Sequence, residues 1–187
     1  MITTAPARGM TVEEFDRIAA LPENVDRKLR LIDGEMIEKM PKHAHARLAA
    51  QLIIWIGNFL QMHALGDVFS EFRIDLPHEK NNAHVADVCA VTLRRDDVAR
   101  LPDDAALPFM PDLIIEIQSA GQSDAHMHTL AAYYLAHGAR MVWLAYPDRK
   151  LVEWLTPTDR RLITIDGTID GGEVLPGFTL SMRELFG

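Results

Sequence analysis

The sequence predicts an α/β (α+β) domain: a mixed central sheet flanked by helices, with an extra helix and hairpin at the N-terminus. Three observations predict it. Segments with helical spacing of apolar residues, at 11–21, 44–63 and 124–137, alternate with strand-like runs. Two of those runs, VADVCAVTL at 85–93 and PDLIIEI at 111–117, have no evident polar face, as strands covered on both sides require. Turn signals at Asp33-Gly34 and at PDRK, 147–150, each join two apolar stretches into a hairpin. A chain of 187 residues suits one domain at the usual ~100–200 residues each, so 1–187 is read as a single unit with 1–10 as a flexible leader.

TVEEFDRIAAL, 11–21, pairs Thr11 with Glu14 as a capping box and spaces Val12, Phe15 and Ile18 for one helix face. LRLIDGEMIEKM, 29–40, is a hairpin turning at Asp33-Gly34. From Ala44 to His63 the positions Leu48, Leu52, Trp55, Ile56, Phe59 and Leu60 mark a long helix packed on a flat surface. Phe72, Ile74 and Leu76 alternate with charged residues, which predicts a half-exposed strand. After the strand at 85–93, the Pro-containing stretch 94–111 reads as a surface loop holding a short helical turn. Beyond the strand at 112–118, Asp124 is the expected cap of a helix ending at His137-Gly138. MVWLAY, 141–146, and LVEWL, 151–155, form the second hairpin. RLITID, a GTIDGG turn and a short helix at Ser181–Phe186 finish the chain.

Lys and Arg number 19 against 27 Asp and Glu, a net charge of −8, which excludes a protein that coats nucleic acid by bulk electrostatics. Cys89 is the one cysteine and lies in an apolar run, so neither a disulfide framework nor a thiolate zinc site is available. No window approaches the ~18 apolar residues of a membrane span, and MITTAPARGM lacks a signal peptide's apolar stretch; a cytoplasmic protein without membrane attachment is expected. There is no glycine-rich phosphate loop, no G-x-S-x-G elbow and no catalytic cysteine arrangement.

Two acids stand where acids are costly. Asp87 and Glu116 each interrupt a buried strand, and a carboxylate there costs several kcal/mol, roughly, unless a partner or metal compensates it. Glu116 alone fits equally well a rim ion pair with Arg73 or Arg140, and Glu35 alone fits a solvated strand residue. Together the three could converge at one sheet edge, where a hard divalent cation would relieve their repulsion. Magnesium suits such a cluster, with manganese as a substitute. His43 and His45, like His126 and His128, are two residues apart, which on a helix turns ligands about 200° from one another and disfavours a paired zinc site.

LIDGE at 31–35, a His shortly after, a buried strand with one Asp, PDLIIEI followed by S-x-G-Q-S, Tyr-x-x-x-Gly on a helix, MVWLAYP and LPGF together resemble the Uma family of restriction-endonuclease-like proteins. The resemblance spans roughly residues 10–187. It implies the fold of the PD-(D/E)XK nucleases, magnesium, and hydrolysis of a DNA phosphodiester. Carried over, it implies Asp87 and Glu116 as metal ligands and catalytic acids, Glu35 as a further acid, and the carbonyl of Ile117 as an added ligand. The family lysine, expected four residues before Tyr134, is Leu130, and the expected Pro before Asp87 is Ala86. No lysine occurs between Lys80 and Lys150. Gln118, at the lysine position of the wider motif, and His126, one turn before Leu130, are the candidate replacements. His45 with Arg47 could touch a phosphate. The alternative is a catalytically silent relative serving as a binding module; a homodimer is expected, with the aromatic hairpin at 141–155 as the surface that could pair two subunits. DNA contact is expected to be local, weak and salt-sensitive.

Overall fold

The computed structural model describes residues 9–24, 27, 29–38, 43–103, 105–119 and 121–187. Most of the predicted leader, and residues 39–40 of the first hairpin, lie outside them.

The first helix, α1 (Val12–Ala19), carries the expected capping box: Thr11 Oγ1 accepts from the Glu14 amide at 3.2 Å and Glu14 Oε2 accepts from the Thr11 amide at 2.9 Å. The hairpin β1 (Leu29–Ile32) and β2 (Glu35–Glu38) follows, and Asp33 and Gly34 both have positive φ, as a tight two-residue turn requires. The long helix α2 (His43–His63) buries Leu48, Leu52, Ile56 and Leu60, one residue per turn, against the sheet. Trp55 from the same helix stands at the surface, 41% exposed, one step round from that stripe.

Six strands form the central sheet: β3 (Asp67–Ile74), β4 (His84–Val91), β5 (Leu113–Ile117), β6 (Met141–Tyr146), β7 (Leu151–Leu155) and β8 (Arg160–Ile163), hydrogen-bonded in that order. All neighbours are antiparallel except β5 and β6, which α4 (Asp124–Ala136) joins as a crossover. A four-residue helix, α3 (Arg95–Val98), occupies the predicted loop. Two short strands, β9 (Thr168–Asp170) and β10 (Thr179–Ser181), pair before the last helix, α5 (Met182–Phe186).

Three expectations change. The half-exposed strand begins at Asp67, earlier than alternation indicated, because Glu71 takes φ 50° and breaks the pattern inside the strand. Ser123, not Asp124, caps α4: its hydroxyl accepts from the His126 amide while Asp124 already lies in the helix. The stretch read as a GTIDGG turn contains β9.

The sheet has an apolar layer on each face. On one, Leu52, Ile56 and Leu60 of α2 pack with Val88, Ile115, Trp143 and Trp154, closed by Phe178 and Leu185. On the other, Met127, Leu130 and Tyr134 of α4 pack with Cys89, Ile114, Val142 and Leu144. Cys89 is the inert thiol expected of that strand, burial pushing it up to about 12. Trp143, Tyr146 and Trp154 are all inside, so the aromatic side chains of this hairpin are not exposed for pairing.

Candidate active site

The ladder between β4 and β5 runs from Ala90↔Leu113 to Val88↔Ile115 and stops there. One step further along each strand come Asp87 and Glu116, 1% and 2% exposed. Where the ladder stops, Asp87 Oδ2 accepts the backbone amide of Ile117 at 2.7 Å, so the side chain takes over a backbone bond of β5. Asp87 and Glu116 are thereby fixed side by side at the end of the strand pairing.

Elements from several directions converge on the pair. β1 sends Arg30, whose guanidinium lies 3.1 Å from Asp87 Oδ1 and 3.3 Å from Glu116 Oε2. α2 sends His45, with Nε2 2.9 Å from Asp87 Oδ2. From the other face α4 sends Tyr134, whose hydroxyl donates to Glu116 Oε1 at 2.7 Å. Arg30 reaches the site because β1 docks beside the start of β4, with Leu31 and Ala83 exchanging backbone bonds. Its alternation with Leu29 and Leu31 turns the guanidinium away from Leu31, which packs on Phe15 of α1.

Burial, the largest effect, pushes Arg30 down, yet Glu116, Tyr134 and Glu71 together outweigh it and the guanidinium is held above its ordinary value. Tyr134 is pushed well up, by burial first and then by Glu116, and stays a hydrogen-bond donor throughout the physiological range. His84, packed against Tyr133 and Tyr134, is pushed down to about 4, chiefly by burial, with neither ring nitrogen hydrogen-bonded. Glu71 lies opposite Asp87, between the pairs Ser70↔Val88 and Phe72↔Ala86, and its charge acts on Arg30. A non-glycine residue at φ 50° inside a strand, beside two buried acids, is the kind of local strain that accompanies sites.

The other expected residues are more dispersed. Glu35 is exposed at the turn end of β2, opposite Ile32, and among the described residues no hydrogen bond or ion pair ties it to Asp87 or Glu116. Gln118 donates its amide to the Gln122 carbonyl at 3.0 Å and to Asp124 Oδ1 at 2.9 Å, bonds that shape the turn into α4. His126 is half-buried on the first turn of α4. Leu130, at the expected lysine position, is 2% exposed in the α4 layer. Glu116 pairs with neither candidate from the sequence: Arg73 bonds Asp16 and Asp75, and Arg140 lies near Asp112. Arg30 and Glu71 escaped sequence reasoning. In LRLI the arginine looks like any outward residue of an alternating strand, and nothing local marks Glu71.

Asp87 and Glu116 can share one cation, since they already share a guanidinium, and their hard oxygen donors suit magnesium or manganese. The domain is thus a mixed sheet flanked by helices, with an acid pair where two strands part. The chain belongs to the Uma2 family, described as "Putative restriction endonuclease", whose sequence model matches residues 12–183. Among solved structures, a protein from Anabaena variabilis described as "a putative nuclease belonging to DUF820" superposes with a TM-score of 0.78 at 23% identity, covering 95% of this chain and 97% of that one. At that identity the likeness shows the fold. No curated protein matches the chain. No helix among the described residues is long and apolar enough to cross a membrane.

Proposed function

We propose that this protein is a metal-dependent endonuclease that hydrolyses DNA phosphodiester bonds. The observation that carries the proposal is the convergence of two buried carboxylates, from two parting strands, on one cation. Asp87 and Glu116 would hold Mg²⁺ or Mn²⁺, with the carbonyl of Ile117 as the further ligand implied by the family. The metal, when bound, supplies Lewis acidity for the phosphoryl oxygen and eases ionisation of the attacking water.

The chain's own residues do the rest. His45 and the Ile117 amide fix the Asp87 carboxylate, and Tyr134 fixes that of Glu116, so neither acid must reorganise to meet a charge. Arg30 supplies the positive charge that Leu130 cannot. Its guanidinium is always protonated and stands against the same acids, so it is able to neutralise negative charge developing on the phosphate. Gln118 is proposed to act through the turn it holds, and His126 and Glu35 as groups at the edge of the site.

A catalytically silent binding module is favoured by a different aspect of the same contact: Arg30 closes over both acids. Purified protein incubated with supercoiled plasmid and Mn²⁺ separates the two. Nicking that disappears in Arg30→Met but survives Gln118→Ala and His126→Ala supports the enzyme with arginine in the lysine's role. Inactive wild type with activity restored by Leu130→Lys places the loss at the lysine; inactivity in every variant favours the binding module. With a net charge of −8, DNA binding should be weak and strongly salt-dependent.

A further inference from the structure

A second group of ligating side chains lies outside the acid pair. The turn after β3 carries His78 and Glu79, and the C-cap of α4 is His137; one ligand atom from each lies within 4.8 Å of the others. They come from segments 58 residues apart, brought together where the turn meets the end of the helix.

His137 is oriented by a bond that settles its tautomer. Nδ1 lies 2.8 Å from the Tyr133 carbonyl, which only accepts, so Nδ1 carries hydrogen. In the neutral ring Nε2 then presents a lone pair, and 3.2 Å away it meets Glu79 Oε1, a second acceptor. In the imidazolium an Nε2 proton bridges the pair; in the neutral ring a divalent cation can take that proton's place between the two acceptors. A ring nitrogen anchored on a backbone carbonyl is also the usual support of a metal-bound histidine. Glu79 is oriented likewise: Asn82 donates to its other oxygen at 2.8 Å, and this bond, ahead of His137, holds the carboxyl below its usual range. The His78 ring stacks on His137 with centroids 5.9 Å apart and planes 15° apart, and it is exposed. The negative end of the α4 dipole favours a cation at this place as well.

We propose that His78, Glu79 and His137 form a binding site for a zinc-class divalent ion, with three protein ligands and one position left to water. Two imidazoles and a carboxylate are a borderline donor set that takes Zn²⁺ or Co²⁺ well and Mg²⁺ poorly, unlike the oxygen donors of Asp87 and Glu116. The ion would act as a clip. The turn it fastens to α4 also holds the N-terminal hairpin, since the Gly34 amide bonds the Asn81 carbonyl and the Asp33 amide bonds Asn82 Oδ1. Fixing 78–82 therefore steadies the hairpin that brings Arg30 to the acid pair.

The test is calorimetric titration of metal-stripped full-length protein with Zn²⁺ in excess Mg²⁺, which occupies oxygen-only sites. One equivalent should bind. Affinity should fall roughly tenfold or more in each of His78→Ala, Glu79→Gln and His137→Asn. Co²⁺ should give a visible ligand-field band that the same variants lose. No Zn²⁺ binding, or affinity and Co²⁺ spectrum unchanged in Glu79→Gln and His78→Ala, overturns the proposal. Should His137→Asn fail to fold, these two milder variants still decide it, and neither outcome depends on nuclease activity.

Discussion

Glu116 and Glu153 are cross-strand relatives. Glu116 pairs with Leu144, and Leu144 pairs with Glu153, so both acids lie on the same face of the sheet, two strands apart. Each accepts a tyrosine hydroxyl, from Tyr134 at 2.7 Å or Tyr146 at 2.9 Å, and each has an arginine. The surroundings differ. Glu153 meets His128 at 2.9 Å and Arg160 at 2.5 Å, whose side chains are 39% and 60% exposed, so its charge is balanced at the rim. Glu116 meets an arginine whose side chain is 5% exposed and shared with a second acid. A glutamate in a buried strand is therefore not a site by itself. The second carboxylate, brought alongside where the ladder stops, makes the difference.

The largest effect that separates the two regions is on activity. Asp87→Asn and Glu116→Gln should each reduce Mn²⁺-dependent plasmid nicking by roughly 100-fold or more, because each removes a carboxylate proposed to hold the metal. Glu153→Gln should leave nicking within about threefold, since it alters packing only at a distance from the acids. Equal losses in initial-rate assays would dissolve the distinction.

Stability comes next. Arg30→Met leaves two buried acids without their shared guanidinium and should cost about 3–5 kcal/mol in urea unfolding, while Arg160→Met should cost about 0–1 kcal/mol. Added Mn²⁺ should then raise the melting temperature of Arg30→Met by more than that of wild type, as a cation replaces a cation. A loss at Arg30 no larger than at Arg160, or one insensitive to Mn²⁺, would speak against a shared cation position.

The same comparison shows what was legible in the sequence. Local chemistry wrote the Asp33-Gly34 turn and the α1 capping box, and both are found as read; of the α2 stripe, Leu48, Leu52, Ile56 and Leu60 are buried as expected while Trp55 stands at the surface. Asp87 and Glu116 were legible because a charge inside an apolar run is a local anomaly. Yet LVEWL carries the same anomaly at Glu153, and only the end of the β4–β5 ladder tells the two apart. The partners were not legible. Arg30 lies 57 residues from Asp87 and 86 from Glu116, and its place depends on how the hairpin docks. The family pattern directed attention to position 130 for a cation, whereas the fold delivers one from β1.

A pH effect of intermediate size belongs to the acid-pair side. The His84 pKa is 6.5 in its ordinary state and about 4 in the fold, lowered by burial, with Arg30 adding to the effect and Glu116 opposing it. Between those values the unfolded chain binds the extra proton, so stability is intact above about 6.5 and is lost as pH falls toward 4. The expected loss is on the order of 3 kcal/mol. His84→Phe, which also removes two buried nitrogens lacking hydrogen bonds, should flatten that part of the profile in metal-free buffer. A profile as steep as wild type's would assign the slope to other groups. Glu153, held below its usual range by His128, Tyr146 and Arg160 against the opposing effect of burial, contributes stability that is lost only at lower pH, as it falls through the depressed carboxylate value.

The smallest effect tests the two regions one oxygen at a time. Tyr134→Phe and Tyr146→Phe each delete a single hydroxyl while keeping the ring and its packing. Tyr134 donates a hydrogen bond to an acid 2% exposed, in a group closed by Arg30, so water has little access to replace the lost bond. A hydrogen bond to a charged group in such a place is worth about 1.5–3 kcal/mol. Tyr146 serves an acid that also meets His128 and Arg160 at the rim, where solvent can enter and the remaining donors can adjust, so its loss should lie nearer about 0.5–1.5 kcal/mol. Urea unfolding at one pH, with unchanged denaturant slopes, measures both. A larger loss for Tyr134→Phe means that closure around the acid pair strengthens its bonds; a larger loss for Tyr146→Phe would mean that Glu153, not Glu116, sits in the drier setting.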